Sequence, residues 1–253
     1  MISVIIPIRN RANLFRKSLE SYRSQTLHRD EFEIVVVDQS SSDDLVDLLS
    51  EFVSDIDIRL FDLDPYSGEV KPEILYGGMC NPALPQNFGV KQSAGDVIVF
   101  TSPETVFSNK SLSNIKTHAK PGRFLYGRVV NAPSEKVAAF DRESLLAIDG
   151  DVFCGLEKHP IDYPHTYFIG AMHKRDFLKL GGIEEEFMLG IGYEDTEFGR
   201  RVKKAGLDIH LEESVIGIHQ THPKTLDGDM GARGKGLSTA KYIFDSFPVG
   251  KVE

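Results

Sequence analysis

Cysteine is nearly absent from this chain: Cys80 and Cys154 are the only two in 253 residues. They lie far apart and without Cys-x-x-Cys spacing, so neither a disulfide framework nor a thiolate metal site is implied, and a reduced compartment is expected. Long apolar runs are missing too. No stretch approaches the roughly 20 residues that cross a bilayer, and the first apolar run, Ile2 to Ile6, follows Met1 with no basic leader. The expected location is cytoplasmic, at most peripheral to a membrane. Basic residues are outnumbered, with 29 Lys and Arg against 38 Asp and Glu and a formal net charge of -9. Without long Lys/Arg runs this excludes a phosphate-tracking nucleic-acid surface. A small anionic ligand would need local positive charge or a metal ion, because the overall field repels a diphosphate.

What is present is the ordinary mix of a soluble domain, 41% hydrophobic and 26% charged, in a length suited to one α/β core. Ile2-Ser3-Val4-Ile5-Ile6 reads as a strand ended by Pro7, and Leu14, Phe15, Leu19 and Tyr22 follow near helical spacing. Ile34 to Val37 is apolar at every position, as a strand covered on both faces would be, and ends at Asp38. Leu45, Leu48, Leu49 and Phe52 mark a helix, Ile56 to Leu63 a third strand, Asn87 to Ala94 a helix after a Pro/Gly-rich loop, and Val97 to Phe100 a strand. This alternation predicts a doubly wound, mainly parallel sheet with ligands at the strand C-termini. Beyond a strand at Arg123 to Val130, the segment from Asn131 to Pro164 shows no sustained period and is assigned to acceptor-binding loops. Order returns at Tyr167 to Met172, in a helix holding Phe198, Val202 and Ala205, and in strands at Leu207–Leu211 and Val215–Ile218. The domain is expected over 1–224, divided near residue 107 into two halves, with a mobile glycine-rich tail over 225–253.

The strand ends carry the chemistry. Asp38 can accept hydrogen bonds from a base or ribose, or serve as a turn or cap residue. Glu104, in Thr101-Ser102-Pro103-Glu104, reaches the same edge and suits a hard cation, although a lone strand-terminal Glu is more often a solvated loop residue. Gly190-Ile191-Gly192-Tyr193-Glu194-Asp195 places two carboxylates in a first helical turn, where backbone N–H groups and the dipole keep a carboxylate ionised. That suits a general base but lowers its basicity unless an apolar wall restores it. His219 and His222 follow the last strand and can ligate manganese. Arg233 and Lys235 among Gly228, Gly231, Gly234 and Gly236 form a basic loop able to close over phosphates, or a disordered tail.

With these residues in place the chain resembles the family 2 glycosyltransferases of GT-A fold. Four blocks carry the resemblance: Val4-Ile5-Ile6-Pro7 to Ala12; Val35-Val36-Val37-Asp38 to Asp43; Asn87-Phe88-Gly89 to Phe100; and Gly181-Gly182 to Asp195. The last is also similar to the Gly-x-Gly-x-Glu-Asp stretch of galactosyltransferases. The resemblance implies that Pro7, Arg9, Arg11, Asp38, Asn87 and Ser102 line the donor nucleotide and that Glu104 and His219 hold Mn2+ or Mg2+. It also implies that Glu194 orients the acceptor and Asp195 deprotonates its hydroxyl. The donor would be a UDP-sugar, the acceptor a glycan, lipid-linked glycan or protein, and the displacement inverting. Two departures stand out: the family's Asp-x-Asp is Ser102-Pro103-Glu104, and Gln86 replaces an expected Arg. With one acidic group missing, Arg233 and Lys235 are expected to carry more of the leaving diphosphate's charge. A non-catalytic nucleotide-sugar module is the alternative. A sugar nucleotidyltransferase is disfavoured, because Pro7-Ile8-Arg9-Asn10-Arg11 lacks the glycines of its basic loop.

Overall fold

The computed structural model describes residues 1–63, 82–148, 157–158, 168–190 and 192–222, together with Lys241 and Asp245. Strand and helix alternate through β1 (Ile2–Ile8), α1 (Ala12–Arg23), β2 (Phe32–Asp38), α2 (Leu45–Ser50), β3 (Ile58–Asp62), α3 (Ala83–Gln92) and β4 (Val97–Phe100). There follow β5 (Thr105–Phe107), α4 (Ser111–His118), β6 (Arg123–Pro133), α5 (Ser134–Ala138), α6 (Arg142–Leu146) and β7 (Glu157–Lys158). The described elements end with β8 (Gly170–His173), α7 (Lys174–Lys179), a 3-10 turn at Glu185–Leu189, α8 (Glu194–Lys204) and β9 (Asp208–Thr221).

One sheet has the order β3-β2-β1-β4-β8-β6-β9-β5, with β7 on β6. The strands β3, β2, β1 and β4 pair parallel, as the crossover helices require. The other half is mixed: β8 lies antiparallel to β4 and β6, β6 and β9 run parallel, and β5 is antiparallel to β9. No strand–helix alternation enforces parallel pairing there. These directions bring the C-terminal ends of β1, β2, β4, β6 and β9 to one edge of the sheet, where Asp38, Glu104 and His219 stand.

Period-two alternation distributes the core. Ile2, Val4 and Ile6 of β1 face α1 and α2 with Phe15, Leu19, Leu45 and Leu48. Ile5 faces the other side with Val35, Val37, Val90, Phe177, Phe198 and Val202. The helix α3 lies close on that side because of Gly89, where a methyl group would stand 2.6 Å from Ile5 Cγ2. At the far edge Glu33 is buried and accepts from Ser3 Oγ at 2.6 Å, Ala94 N–H at 2.5 Å and Arg59 Nη1 at 3.1 Å.

Several boundaries differ from expectation. Pro7 does not end the first strand, which runs to Ile8. β4 pairs β1 only as far as Ile5, so Pro7 sits where the strand has lost that neighbour, the edge-like setting a proline tolerates. The helix expected from Asn87 begins earlier, at Ala83. The two last strands are one: Gly127 pairs with Glu212 and Arg128 with Ile216, so residues 213–215 bulge out of β9. The aperiodic stretch after Asn131 continues β6 to Pro133 and then forms α5 and α6, whose Val137 and Leu145 join a separate small core with Ile218.

Candidate active site at the C-terminal edge of the sheet

The loops after β1 and β2 are joined side by side. Asn10, in the left-handed region at φ 52, accepts from Ser42 N–H at 2.7 Å through Oδ1, and its own N–H donates to Ser41 Oγ at 2.9 Å. Asp43 accepts from Ala12 N–H at 2.8 Å. It therefore caps α1, whose own N-cap, Arg11, makes no side-chain capping bond. Asp38 is half-buried and its Oδ1 accepts from the Ser41 backbone at 3.1 Å and hydroxyl at 2.5 Å. One oxygen of this expected nucleoside contact thus serves the turn. Pro7 and Arg9 lie half-buried beside it, on β1 and just beyond.

Glu104 is the buried centre of the edge, at 3% exposure. Its carbonyl accepts from Gln220 N–H at 3.0 Å and Gln220 Nε2 at 3.2 Å, and Ser18 Oγ holds the preceding Pro103 carbonyl at 2.7 Å. The loop is thereby tied to β9 and α1. Arg11 Nε donates to Glu104 Oε1 at 3.0 Å, and His222 Nε2 lies 3.4 Å from the same oxygen. Oε2 is buried with no hydrogen-bond partner. Ser102, expected at the nucleotide, is buried and shares a 2.9 Å hydroxyl contact with Thr105.

Both expected histidines stand at this edge: His222 Nε2 approaches the Glu104 carboxylate, and His219, whose ring packs on Phe168 and His222, has Nδ1 2.9 Å from Asn131 Oδ1 and its Nε2 buried. Among the described residues no group of three His, Cys, Asp or Glu side chains is placed to hold a metal ion. A buried carboxylate oxygen without a partner, with an imidazole beside it, nevertheless fits a cation whose other ligands come from a diphosphate and water.

Gly192 and Tyr193 are both left-handed, at φ 78 and φ 71, and this double turn starts α8. The helix then runs to the far edge, where Asp208 N–H bonds Gly122 O at 2.9 Å before β6, so its N-terminus faces the functional edge. Glu194, Asp195 and Glu197 occupy its first turn and Arg201, Lys203 and Lys204 its last, matching the dipole at both ends. Glu194 is buried. Burial pushes the Asp195 carboxyl above its ordinary range, although hydrogen bonds from Thr196, whose hydroxyl stands at 3.3 Å, oppose this. Desolvation thus outweighs those hydrogen bonds.

Asn87, also expected at the nucleotide, has its amide engaged in the protein. Nδ2 donates to Ile183 O at 2.7 Å and Glu185 Oε1 at 2.9 Å, and Oδ1 accepts from Ile183 N–H at 2.8 Å. Arg201 grips the same turn, donating from Nη1 to Leu180 O and Gly182 O at 2.7 Å each while it holds Glu197 at 2.6 Å through Nε and Nη2. Nothing in the sequence marked Arg201, Asn131 or the Arg11–Glu104 pair, since each contact joins distant segments. Arg233, Lys235 and Ile191 lie outside the described residues.

Comparison with known proteins agrees with this fold. Residues 3–66 match the model "Glycosyl transferase family 2", and residues 150–224 match "N-terminal domain of galactosyltransferase". An uncharacterized glycosyltransferase of Bacillus subtilis, YfnE, is 24% identical over 268 residues, covering 87% of this chain and 65% of the relative. Staphylococcus aureus TarS 1-349 in complex with UDP-GlcNAc superposes with a TM-score of 0.60 at 16% identity, over 88% of this chain and 59% of that one. The mannosyltransferase PcManGT of Pyrobaculum calidifontis, in complex with GDP-Man and Mn2+, gives 0.60 at 20% identity over 100% and 65%. This chain spans less than two thirds of the length of these three proteins. No helix among the described residues is long and apolar enough to cross a membrane. Over residues 3–66 the chain thus matches the family 2 glycosyltransferases, over 150–224 a galactosyltransferase domain, and over most of its length it shares the GT-A fold of its structural neighbours.

Proposed function

We propose that this protein is an inverting glycosyltransferase that moves a sugar from a nucleoside-diphosphate sugar, by default a UDP-sugar, to an acceptor hydroxyl with Asp195 as general base. The observation that carries the reading is Asp195 itself: a carboxyl at a helix start on the ligand edge, made more basic by burial. In its ionised form such a group can take the hydroxyl proton as the hydroxyl attacks the anomeric carbon. Buried Glu194 beside it orients the acceptor.

Asp38 keeps Oδ2 for the nucleoside, its Oδ1 being engaged by Ser41. Glu104 and His222 would hold a divalent cation, Mn2+ or Mg2+, with His219 fixed behind them by Asn131. Such an ion would neutralise charge on the departing diphosphate. Arg11, already at Glu104, contributes positive charge at the same point, and Arg233 and Lys235 are proposed to add to it. An acceptor on a glycan, a lipid-linked glycan or a protein fits this chemistry equally, and a cytoplasmic setting suits a nucleotide-sugar donor.

Calorimetric titration with UDP, GDP and dTDP, each with Mn2+ and with chelator, tests the donor side. Binding of one nucleotide, tighter with Mn2+, is expected. Anomeric NMR of the product tests inversion, and an axial linkage from an axial donor refutes it. A second reading, a nucleotide-sugar module without catalysis, is favoured by the single carboxylate at residues 102–104. Donor binding with neither hydrolysis nor transfer would establish it.

A further inference from the structure

We propose that Asn87 and Arg201 are positioning residues, which grip the Leu180–Ile183 turn from two sides and so lock the α8 N-terminus, with Asp195, to the donor half of the sheet. The kinetic consequence rests on the glycosyltransferase reading above; the mechanical one does not.

The fixed reference is α3. Gly89 lets this helix lie against β1 and β2 so closely that a methyl group would meet Ile5 Cγ2 at 2.6 Å and Val37 Cγ2 at 3.2 Å. Those strands lead to Ile8–Arg11 and Asp38, so α3 is packed directly on the elements that carry that edge. Asn87, two residues before Gly89, bonds Ile183 in both directions at 2.7 and 2.8 Å and Glu185 at 2.9 Å. Gly182 is the residue that permits this approach, at φ 76 with Asn87 Oδ1 2.7 Å from where a Cβ would be.

The other grip comes from α8. Arg201 donates to the carbonyls of Leu180 and Gly182, and its remaining nitrogens are fixed by Glu197. Arg201 stands on the helix that begins with Glu194 and Asp195, so a shift of α8 along its axis stretches these bonds. The apolar contacts of α8, Phe198 with Phe124 and Phe177, hold the helix down. They are non-directional and tolerate sliding, whereas hydrogen bonds weaken steeply when displaced. The polar clamp therefore sets the axial position of the base relative to the donor.

The test compares Asn87→Ala, Arg201→Lys and the milder Asn87→Asp with Glu33→Gln, a stability control at the far edge of the same sheet. Amide hydrogen exchange over 192–198 is expected to speed up at least tenfold in Asn87→Ala and Arg201→Lys and to stay within twofold of wild type in Glu33→Gln. Well below the melting temperature, kcat for transfer should fall about ten- to a hundredfold, the scale of a small misplacement of a reacting group. The UDP Kd should stay within twofold. Adding Glu185→Gln to Asn87→Asp exchanges donor and acceptor across that pair and should recover part of the lost kcat. Exchange that rises only over 181–185, or a kcat loss matched by Glu33→Gln, overturns the proposal. If the wild type turns over no nucleotide sugar, the transferase reading fails, and the exchange measurements alone decide the clamp.

Discussion

Gly182 and Asn87 touch so closely that a methyl group on the Gly182 α-carbon would lie 2.7 Å from Asn87 Oδ1, on a residue already at φ 76. Gly182→Ala meets both a left-handed backbone, which costs a non-glycine residue about 1 kcal/mol, and an overpacked contact worth roughly 1–3 kcal/mol. A loss of about 2–4 kcal/mol is expected from the urea midpoint. Gly122, at φ 77 with nothing within 4 Å, is the comparison: Gly122→Ala should lose only the backbone share.

The raised Asp195 carboxyl makes a pH prediction with a definite sign. A general base works deprotonated, so transfer should be lost as pH falls through the folded-state value. That value lies above the ordinary ~3.9 of an aspartate because burial disfavours the charge. The acid limb of kcat against pH should therefore sit higher than for an unperturbed aspartate. Asp195→Asn should abolish that limb and lower kcat by about 10²–10⁴, with UDP binding unchanged. Unaltered turnover in Asp195→Asn would remove the residue from the base role.

Arg11 and Glu104 should behave as a buried pair. The carboxylate is 4% exposed and the guanidinium 23%. Arg11→Met leaves Glu104 with only the His222 ring beside its charge and should cost about 3 kcal/mol. Combining it with Glu104→Gln should recover most of that, because no stranded charge remains. A double-mutant cycle by denaturant unfolding measures the coupling, and additive losses would show that the pair is not coupled.

Glu33 links stability to acid. Burial disfavours its charge, but Ser3, the Ala94 N–H and Arg59 outweigh this and hold the carboxyl below its ordinary value. A depressed folded-state value stabilises above the unfolded value of about 4.3. That stabilisation is lost as pH falls through the lower folded value. Glu33→Gln should cost roughly 2 kcal/mol at pH 7 and flatten the acid side of the melting-temperature profile. A melting temperature that falls equally with acid in wild type and variant would contradict this.

The parallel half of the sheet was readable from residue order because its cause is local. Uninterrupted β-branched runs such as Ile34 to Val37 can only be strands covered on both faces, and the helices between them impose parallel crossovers. The Pro7 boundary misled for a reason outside the strand, namely where its β4 neighbour stops. In the second half β8, β6 and β9 have no such local signature, and their mixed pairing depends on packing between segments far apart in the chain.

The same division runs through the candidate site. That Asp38 and Glu104 reach one edge of the sheet followed from sequence alone, because they stand at strand ends whose location the alternation dictates, and Asp195 follows a glycine-bracketed turn that marks a helix start. What each does there depended on tertiary contacts. Asn87 bonds Ile183 across 96 residues, His222 joins His219 at the Glu104 edge, and Asp43 caps α1 across 31 residues of chain. Burial, which raises the Asp195 carboxyl against the hydrogen bonds of its own helix start, is likewise a property of surrounding segments and of no residue by itself. Backbone periodicity is written locally, whereas hydrogen-bond partners and desolvation arise only when distant parts of the chain meet.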